Sequence, residues 1–372
     1  MTSDGAGSPA AEDCFAQSYA EARARFLAAA SAAGLAVDSH VHPERGRDGE
    51  TLAMDVVVDG DPAASALLVV SSACHGVEGF CGSAAQVALL GDARLRALAR
   101  AAGVAVLHIH ALNSYGFSWW RRTTHENVDL NRNFHSFGAQ APANAGYDAL
   151  ADALVPASWP PPPEAQETIE RFIAEHGERG FQQAVSAGQY RHPDGIFFGG
   201  TAPTWSQQTL RAVLRRHASR CRELGWIDWH TGLGPKGKGE RIFAGRNDPE
   251  TLARVQAWWG DVTSTHDGSS TSAMLNGEMW SVAYEECPQA RYTGIALEFG
   301  TLPIPEVLYA LRADQWLLNH PQTDAGKRQA IKRQIRDAFY VDEPEWKAQV
   351  IEQSLDATRA GLRGLAEAIR GR

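Results

Sequence analysis

Residues 66–79 read ALLVVSSACHGVEG. The apolar run at 66–70 predicts a strand buried on both faces, and Gly76 and Gly79 permit a tight turn directly after it. That turn carries His75 and Glu78, three positions apart, so an imidazole and a carboxylate can converge on one ion. A catalytic zinc site commonly has two histidines, one glutamate and an open fourth position. The segment predicts a strand that ends in two candidate zinc ligands. A polar loop that holds the two residues together by chance is an equally good interpretation of the pair alone.

Further apolar runs of strand length lie on both sides of this segment, and helical patterns separate several of them. Strands buried on both faces and separated by helices favour an α/β fold, with a mixed, largely parallel sheet flanked by helices. The predicted strands are 54–58, 66–72, 104–110, 226–229 and 294–298, and the clearest predicted helices are 83–90, 92–102, 206–220 and 343–372.

The chain predicts a single domain. Residues 1–12 are small and polar and predict a flexible tail, and residues 13–372 contain no repeat and no long linker. An insertion is expected around 141–205, where four consecutive prolines at 160–163 precede a helical pattern near 164–176.

Composition narrows the class of protein. The net charge of −9 is spread along the 372 residues without a basic block, so neither nucleic acid nor an anionic membrane is an expected partner. The five cysteines form no CxxC pair, which argues against a disulfide scaffold. The first residues lack a signal-peptide pattern, and apolar runs fall short of the roughly 18 residues that span a bilayer. These features predict a reduced, cytoplasmic protein and leave its oligomeric state open.

Two later segments place further polar side chains at strand ends. Residues 225–232, GWIDWHTG, put His230 at the end of one strand, with Asp228 on the same face. Residues 294–300, GIALEFG, interrupt another apolar strand with Glu298. Because site residues of α/β sheets collect at the carboxyl ends of strands, His75, Glu78 and His230 can meet there. A carboxylate in an apolar strand needs a partner or a raised pKa, which makes Glu298 a candidate general base. A solvated strand end is the alternative for Glu298, and a hydrogen-bonded core residue is the alternative for Asp228.

A fourth segment concentrates hydrogen-bond donors. Residues 119–134 read WWRRTTHENVDLNRNF, and donors of this kind suit an oxyanion or a carboxylate. A surface arginine cluster is the alternative, and the interleaved Asp129 and the negative net charge count against it. The donors are Arg121, Arg122, Asn131 and Arg132.

In this order, the four segments resemble the zinc carboxypeptidases of the carboxypeptidase A superfamily, in a bacterial branch. The resemblance touches short segments between about residues 71 and 301. It implies a carboxypeptidase-like fold and one zinc ion held by His75, Glu78 and His230. It also implies that Glu298 takes a proton from the zinc-bound water and passes it to the leaving amine.

The same resemblance assigns substrate contacts. Arg121 would polarise the scissile carbonyl, Asn131 and Arg132 would bind a terminal carboxylate, and Asp129 would fix the tautomer of His75. The family's mobile tyrosine has no clear counterpart, with Tyr284 and then Tyr292 as candidates. The implied activity is hydrolysis of an amide next to a free carboxylate, in a peptide. A deacylase of N-acyl amino acids on the same scaffold is the nearest alternative. An inactive protein that binds zinc or a carboxylate is the alternative that is not an enzyme.

Overall fold

The computed structural model describes residues 10–138 and 141–371. The sheet of this described part has seven strands in the order β1-β2-β4-β3-β5-β7-β6. Their bounds are β1 Val37–Arg45, β2 Thr51–Asp59, β3 Ala66–Ser71, β4 Val104–His110, β5 Glu223–Lys236, β6 Gly239–Phe243 and β7 Arg291–Gly300.

Helices lie between the strands and at both ends of the described chain. They are α1 Ala11–Cys14, α2 Tyr19–Ala32, α3 Gly79–Gly91, α4 Ala93–Ala101, α5 Ser114–Ser118, α6 Ala145–Leu154, α7 Pro163–Ser186, α8 Trp205–Ala218, α9 Pro249–Trp259, α10 Ser281–Glu286, α11 Ile304–Asn319, α12 Ala325–Phe339 and α13 Pro344–Arg370. Two short 3-10 turns, Gly76–Glu78 and Leu130–Arg132, carry predicted site residues.

The sheet is parallel at its centre and antiparallel at its edges. Strands β4, β3, β5 and β7 run parallel to one another, whereas β1 and β2 at one edge and β6 at the other pair antiparallel. The predicted α/β class with a mixed, largely parallel sheet is confirmed. Strands β1 and β6 were not predicted, because β1 is largely exposed and polar and β6 has only five residues.

Strand β3 shows why the sheet is covered on both faces. Leu68 and Val70 pack into a cluster with side chains of α3 and α13, whereas Leu67 and Val69 pack with side chains of α8 and α10. Alternate residues of a strand point to opposite faces, so a continuous apolar run requires helices on both. The carboxyl end of β3, which carries the first motif, is therefore held at the middle of a fully covered sheet.

The segment 141–205 packs onto the body through α6 and α7. Helix α7 is longer than the predicted 164–176, since it continues past Gly177, whose φ of 73° and ψ of 167° kink it. Of the predicted tail at 1–12, residues 1–9 lie outside the described residues, and Ala11 begins α1.

All five cysteines are buried and free. Among the described helices, none has the length and apolar character needed to cross a membrane.

Candidate metal centre

Three predicted ligands meet at the carboxyl ends of two adjacent parallel strands. His75 and Glu78 lie on the turn after β3, and His230 lies on β5, two residues after Asp228, which is in register with Ser71 of β3. All three side chains are buried. Neighbouring strand ends thus place two imidazoles and a carboxylate at one point, as the parallel pairing of β3 with β5 requires.

The ligand atoms have the spacing of one coordination sphere. His75 Nδ1 lies 3.0 Å from Glu78 Oε1, His230 Nδ1 lies 3.2 Å from Glu78 Oε2, and the two Nδ1 atoms are 3.3 Å apart. Bonds of about 2.0–2.1 Å in tetrahedral geometry separate ligand atoms by roughly 3.3 Å. Two imidazole nitrogens that face each other beside a carboxylate therefore fit a single zinc ion.

The remote nitrogen of each histidine faces a buried carboxylate. His75 Nε2 lies 3.1 Å from Asp129 Oδ1, and His230 Nε2 lies 2.6 Å from Asp228 Oδ2. A proton shared along these contacts leaves Nδ1 of each ring unprotonated and free to bind a metal. Asp129 thus contacts His75, and Asp228 contacts His230 rather than only filling the core.

Arg122 also reaches this centre. Its guanidinium donates to Asp129 Oδ2 at 2.8 Å and to Glu78 Oε1 at 3.0 Å, and its Nη2 lies 2.7 Å from His75 Nε2. A guanidinium only donates, so His75 Nε2 can accept from Arg122 or donate to Asp129, but not both. If Nδ1 of His75 held a metal, Nε2 would carry the proton and would donate to Asp129. Burial lowers the pKa of Arg122, but the carboxylates of Asp129 and Glu78 outweigh it and keep that pKa above its ordinary value.

Arg121 points elsewhere. Its side chain is buried, donates to Asn127 Oδ1 at 2.9 Å and lies 3.4 Å from Asp314, away from the cavity lining. Trp120, just before it, has a φ of 49°. The structure therefore brings Arg122, and not Arg121, to the ligands, a choice that two adjacent arginines in the sequence do not reveal.

Glu298 lies on β7 in register with His230, in the same cavity. Its carboxylate accepts the Leu233 N–H at 2.9 Å. Burial raises the pKa of Glu298 to about 8, and the nearby Glu78 carboxylate acts in the same direction. A buried carboxyl with a pKa near neutrality, next to candidate metal ligands, can exchange a proton with a reacting group.

Asn131 and Arg132 also line the cavity, and contacts with main-chain groups hold both. Asn131 Oδ1 accepts the Met279 N–H at 2.8 Å, and Arg132 donates from Nε and Nη2 to Ser186 O at 3.0 and 2.6 Å. Of the two tyrosine candidates, Tyr292 lines the cavity and Tyr284 does not.

The cavity has a volume of about 760 Å³, and two segments that no motif predicted form much of its wall. The two segments are the second half of α7 and residues 265–280, and together they are called the roof. Arg179, Gln182 and Gln183 of α7 each donate at 2.7 Å to a main-chain carbonyl of the other segment, at Gly268, Thr271 and Met274 respectively. The segment also contributes Glu278, whose pKa burial raises. Neither segment has a motif, so no sequence pattern identifies them.

Comparison with solved structures finds carboxypeptidase A-like proteins. Thrombin activatable fibrinolysis inhibitor is 12% identical, with 86% of this chain and 73% of that chain covered and a TM-score of 0.46. A protein described as carboxypeptidase A from Shewanella denitrificans OS-217 is 14% identical over 93% and 69%, with a TM-score of 0.42. Murein-tripeptide amidase MpaA from Escherichia coli O157 is 15% identical over 75% and 91%, with a TM-score of 0.35. At such TM-scores the likeness carries no argument about the activity of this chain.

Comparison of sequences gives the family. No curated protein matches the chain. The model of one family matches residues 15–353 and so spans the strands, the candidate ligands and the roof. The chain therefore belongs to the family described as "Protein of unknown function (DUF2817)".

Proposed function

We propose that the protein is a zinc-dependent hydrolase that cleaves an amide bond next to a free carboxylate. The observation that carries this proposal is the convergence of His75, Glu78 and His230 at ligand spacing, with Glu298 in the same cavity. When bound, zinc supplies Lewis acidity and lowers the pKa of water towards about 7. The three ligands would hold one ion, and Asp129 and Asp228 would fix the tautomers of the two histidines.

In this proposal, Glu298 is the general base. It takes a proton from the attacking water and passes it to the nitrogen of the leaving amine, so that the C–N bond breaks without an unstable amide anion. The Leu233 N–H holds one oxygen of the carboxylate and leaves the other to exchange the proton. One carboxyl group therefore acts first as the base and then as the acid, and no second acid is needed.

Arg122 takes the role that the motifs suggested for Arg121. It lines the cavity beside His75 and Glu78, and five guanidinium N–H groups leave it donors beyond the three contacts described. A donor placed there would stabilise the oxyanion that forms from the substrate carbonyl.

Arg132 is the proposed clamp for the substrate carboxylate, with Asn131 beside it. Its guanidinium is buried and donates to main-chain oxygens, and its ion-pair contact with Asp129 is long, at 3.8 Å. Asp129 is already shared with Arg122 and His75. Glu278 acts on Arg132 electrostatically without an ion-pair contact. A buried cation whose contacts are mainly with main-chain oxygens favours an anionic ligand.

The substrate is a C-terminal peptide bond or the amide of an N-acyl amino acid. The first experiment measures zinc per chain in the wild type, in His75→Ala and in the exposed control His176→Ala. We expect about one zinc in the wild type and the control, and loss of it in His75→Ala. The zinc-loaded protein is then assayed on peptides and N-acyl amino acids, each with a free and with an amidated carboxylate.

Cleavage of the free acids alone supports both the hydrolase and the clamp. A wild type that takes up no zinc when supplied would remove the metal centre from the proposal. Zinc uptake without cleavage of any substrate favours an inactive zinc-binding or carboxylate-binding protein. The buried free cysteines agree with a reducing compartment, and a cytoplasmic location stays a prediction.

A further inference from the structure

The cavity continues past the metal centre between helices α7 and α11. There its wall is mostly aliphatic and aromatic, and the buried Arg312 of α11 donates to the carbonyls of Leu154 and Ala153. We call this part the apolar arm. Its lining includes Ile169, Ile173 and Phe181 of α7 and Val307 and Leu308 of α11. All five of these side chains are buried or partly buried in one hydrophobic cluster of the protein, and the arm is thus a shaped part of the interior.

The apolar arm begins beside the candidate base. A Cβ on Gly232 would lie 3.0 Å from the ring of Phe339 and 3.7 Å from the carboxylate of Glu298, so ring and carboxylate flank the same glycine. Phe339 belongs to the hydrophobic cluster that contains Ile169 and Val307. A group attached to the reacting carbonyl can therefore enter the arm directly from the site of bond cleavage.

The two clamp residues have different neighbours, since Arg132 donates to Ser186 O at the end of α7 and Asn131 faces the other side of the cavity. Asn131 contacts Met279, which packs with Trp226 and Tyr292 in a separate cluster on the α8 side of the sheet. A substrate held by its carboxylate at the clamp, with its amide at the candidate ligands, has two substituents left to place, the side chain of its amino acid and its acyl group. Only the acyl group is attached to the reacting carbonyl, and the arm begins beside Glu298, where that carbonyl must lie.

The wall of the arm discriminates between a peptide and a hydrocarbon. Each residue of a peptide brings an N–H and a C=O that need partners when buried, whereas a hydrocarbon chain needs only contact. Of the polar residues that α7 adds to the lining, Gln166, Glu178 and Arg179 are exposed. Gln182 and Ser186 are partly buried, and both already have partners, since Gln182 donates to Thr271 O and Ser186 O accepts from Arg132. The volume of about 760 Å³ is that of a site for a large ligand, rather than for an acetylated amino acid.

We infer that the substrate is an N-acyl amino acid whose acyl group is an extended hydrocarbon chain, bound in the apolar arm. This inference rests on the proposed function and names its substrate class. Water adds to the acyl carbon, the C–N bond breaks, and the amine nitrogen takes the proton that Glu298 carries. The products are a fatty carboxylate and a free amino acid.

The test compares N-acetyl, N-hexanoyl and N-decanoyl derivatives of one amino acid with the zinc-loaded enzyme. We expect kcat/KM to rise by about threefold for each added methylene until the arm is filled. In Leu308→Gln the ratio of decanoyl to acetyl kcat/KM should fall about tenfold, because a polar group replaces apolar wall. Leu318→Gln, on the exposed side of the same helix, is the matched control and should keep the wild-type ratio.

A binding measurement distinguishes an error in this inference from an error in the proposed function. Calorimetry on zinc-loaded Glu298→Gln should show tighter binding of the N-decanoyl than of the N-acetyl compound, and Leu308→Gln in that background should remove the difference. Binding of this kind in a protein that cleaves no amide would overturn the hydrolase and keep the arm. Equal or faster cleavage of the N-acetyl compound, or equal binding of the two, would overturn the arm and keep the hydrolase.

Discussion

At the scale of single residues, two neighbours with the same side chain do different work. Arg122 contacts the candidate metal ligands, and Arg121 contacts Asn127 and Asp314 in the interior. Lys332 also pairs with Asp314, so Arg121 belongs to a buried structural cluster. Both residues are arginines with the same charge, and they differ only in the direction of their side chains.

Lysine substitutions separate the two roles. Arg122→Lys keeps the charge but loses the fork of donors, and we expect kcat to fall more than about tenfold. Arg121→Lys should leave kcat within about threefold and instead lower the free energy of unfolding by about 1–3 kcal/mol, because Asn127 loses a buried donor. Steady-state kinetics and urea unfolding of both variants measure this. The reverse pattern would return the catalytic role to Arg121.

Glu298 gives the second prediction at this scale. Glu298→Gln cannot accept a proton, so we expect kcat to fall by about 10²–10⁴-fold while zinc content stays at the wild-type value. Glu306→Gln, an exposed change on the first turn of α11, is the control. Zinc analysis and steady-state kinetics on the same preparations measure the zinc content and kcat of each variant. Retained activity in Glu298→Gln would require another base.

At the scale of elements, strand β4 carries a sensitivity to acid. His108 and His110 share one face of this strand and are fully buried in the core, and burial lowers the pKa of each to about 4. Unfolded histidine has a pKa of about 6.5. Between those values the unfolded chain binds more protons than the folded one. The contribution of the two histidines to the free energy of unfolding is therefore fully present above about pH 6.5, and it is lost as the pH is lowered towards 4.

His108 allows a direct test, since its Nδ1 has no hydrogen-bond partner within residues 10–138 and 141–371. In metal-free protein we expect the free energy of unfolding to fall between pH 7 and 5, by up to about 1.4 kcal/mol per pH unit for each histidine. His108→Leu should show a shallower slope, whereas exposed His176→Gln should keep the wild-type slope. Urea unfolding at several pH values measures both. An unchanged slope in His108→Leu would mean that this ring is protonated in the fold.

Helix α7 offers a prediction about its kink. The φ of 73° and ψ of 167° at Gly177 are values that almost only glycine adopts, and no atom lies within 4 Å of an added Cβ. Gly177→Ala should therefore cost about 1–3 kcal/mol through backbone strain alone. Gly371→Ala, where φ is −80°, is the control and should change stability by less than about 0.5 kcal/mol. Equal stability of Gly177→Ala and wild type would show that the backbone at residue 177 can adopt another conformation at no cost in stability.

At the scale of the whole molecule, the site combines local motifs with contacts between distant segments. The strands with His75, His230 and Glu298 were predictable, because apolar runs that end in polar residues are visible in the sequence, and β3, β5 and β7 align as parallel neighbours. The direction of Arg122 was not, because Arg121 and Arg122 are adjacent and identical in type, and only the folded chain shows which of them contacts Glu78.

The roof could not be predicted either. Gln182 and Thr271 are 89 positions apart, and neither lies in a segment with a motif. The long α7 and the loop after α9 acquire their role only when the sheet brings them over the same cavity. Patterns along the chain report which residues lie in strands and helices, whereas contacts of this kind depend on the completed fold.

The roof also bears on how such a protein can change over generations. Side chains of α7 close it, but the acceptors at Gly268, Thr271 and Met274 are main-chain carbonyls, which every amino acid possesses. Gly268 has a φ of 77°, which favours glycine, but mutations at Thr271 or Met274 leave their carbonyl acceptors in place, whereas mutations at Arg179, Gln182 or Gln183 remove a donor. The loop after Gly268 can therefore offer new side chains to the substrate while its main-chain contacts with α7 are kept. Selection for a different substrate would leave its record in residues 269–274 before it touched α7.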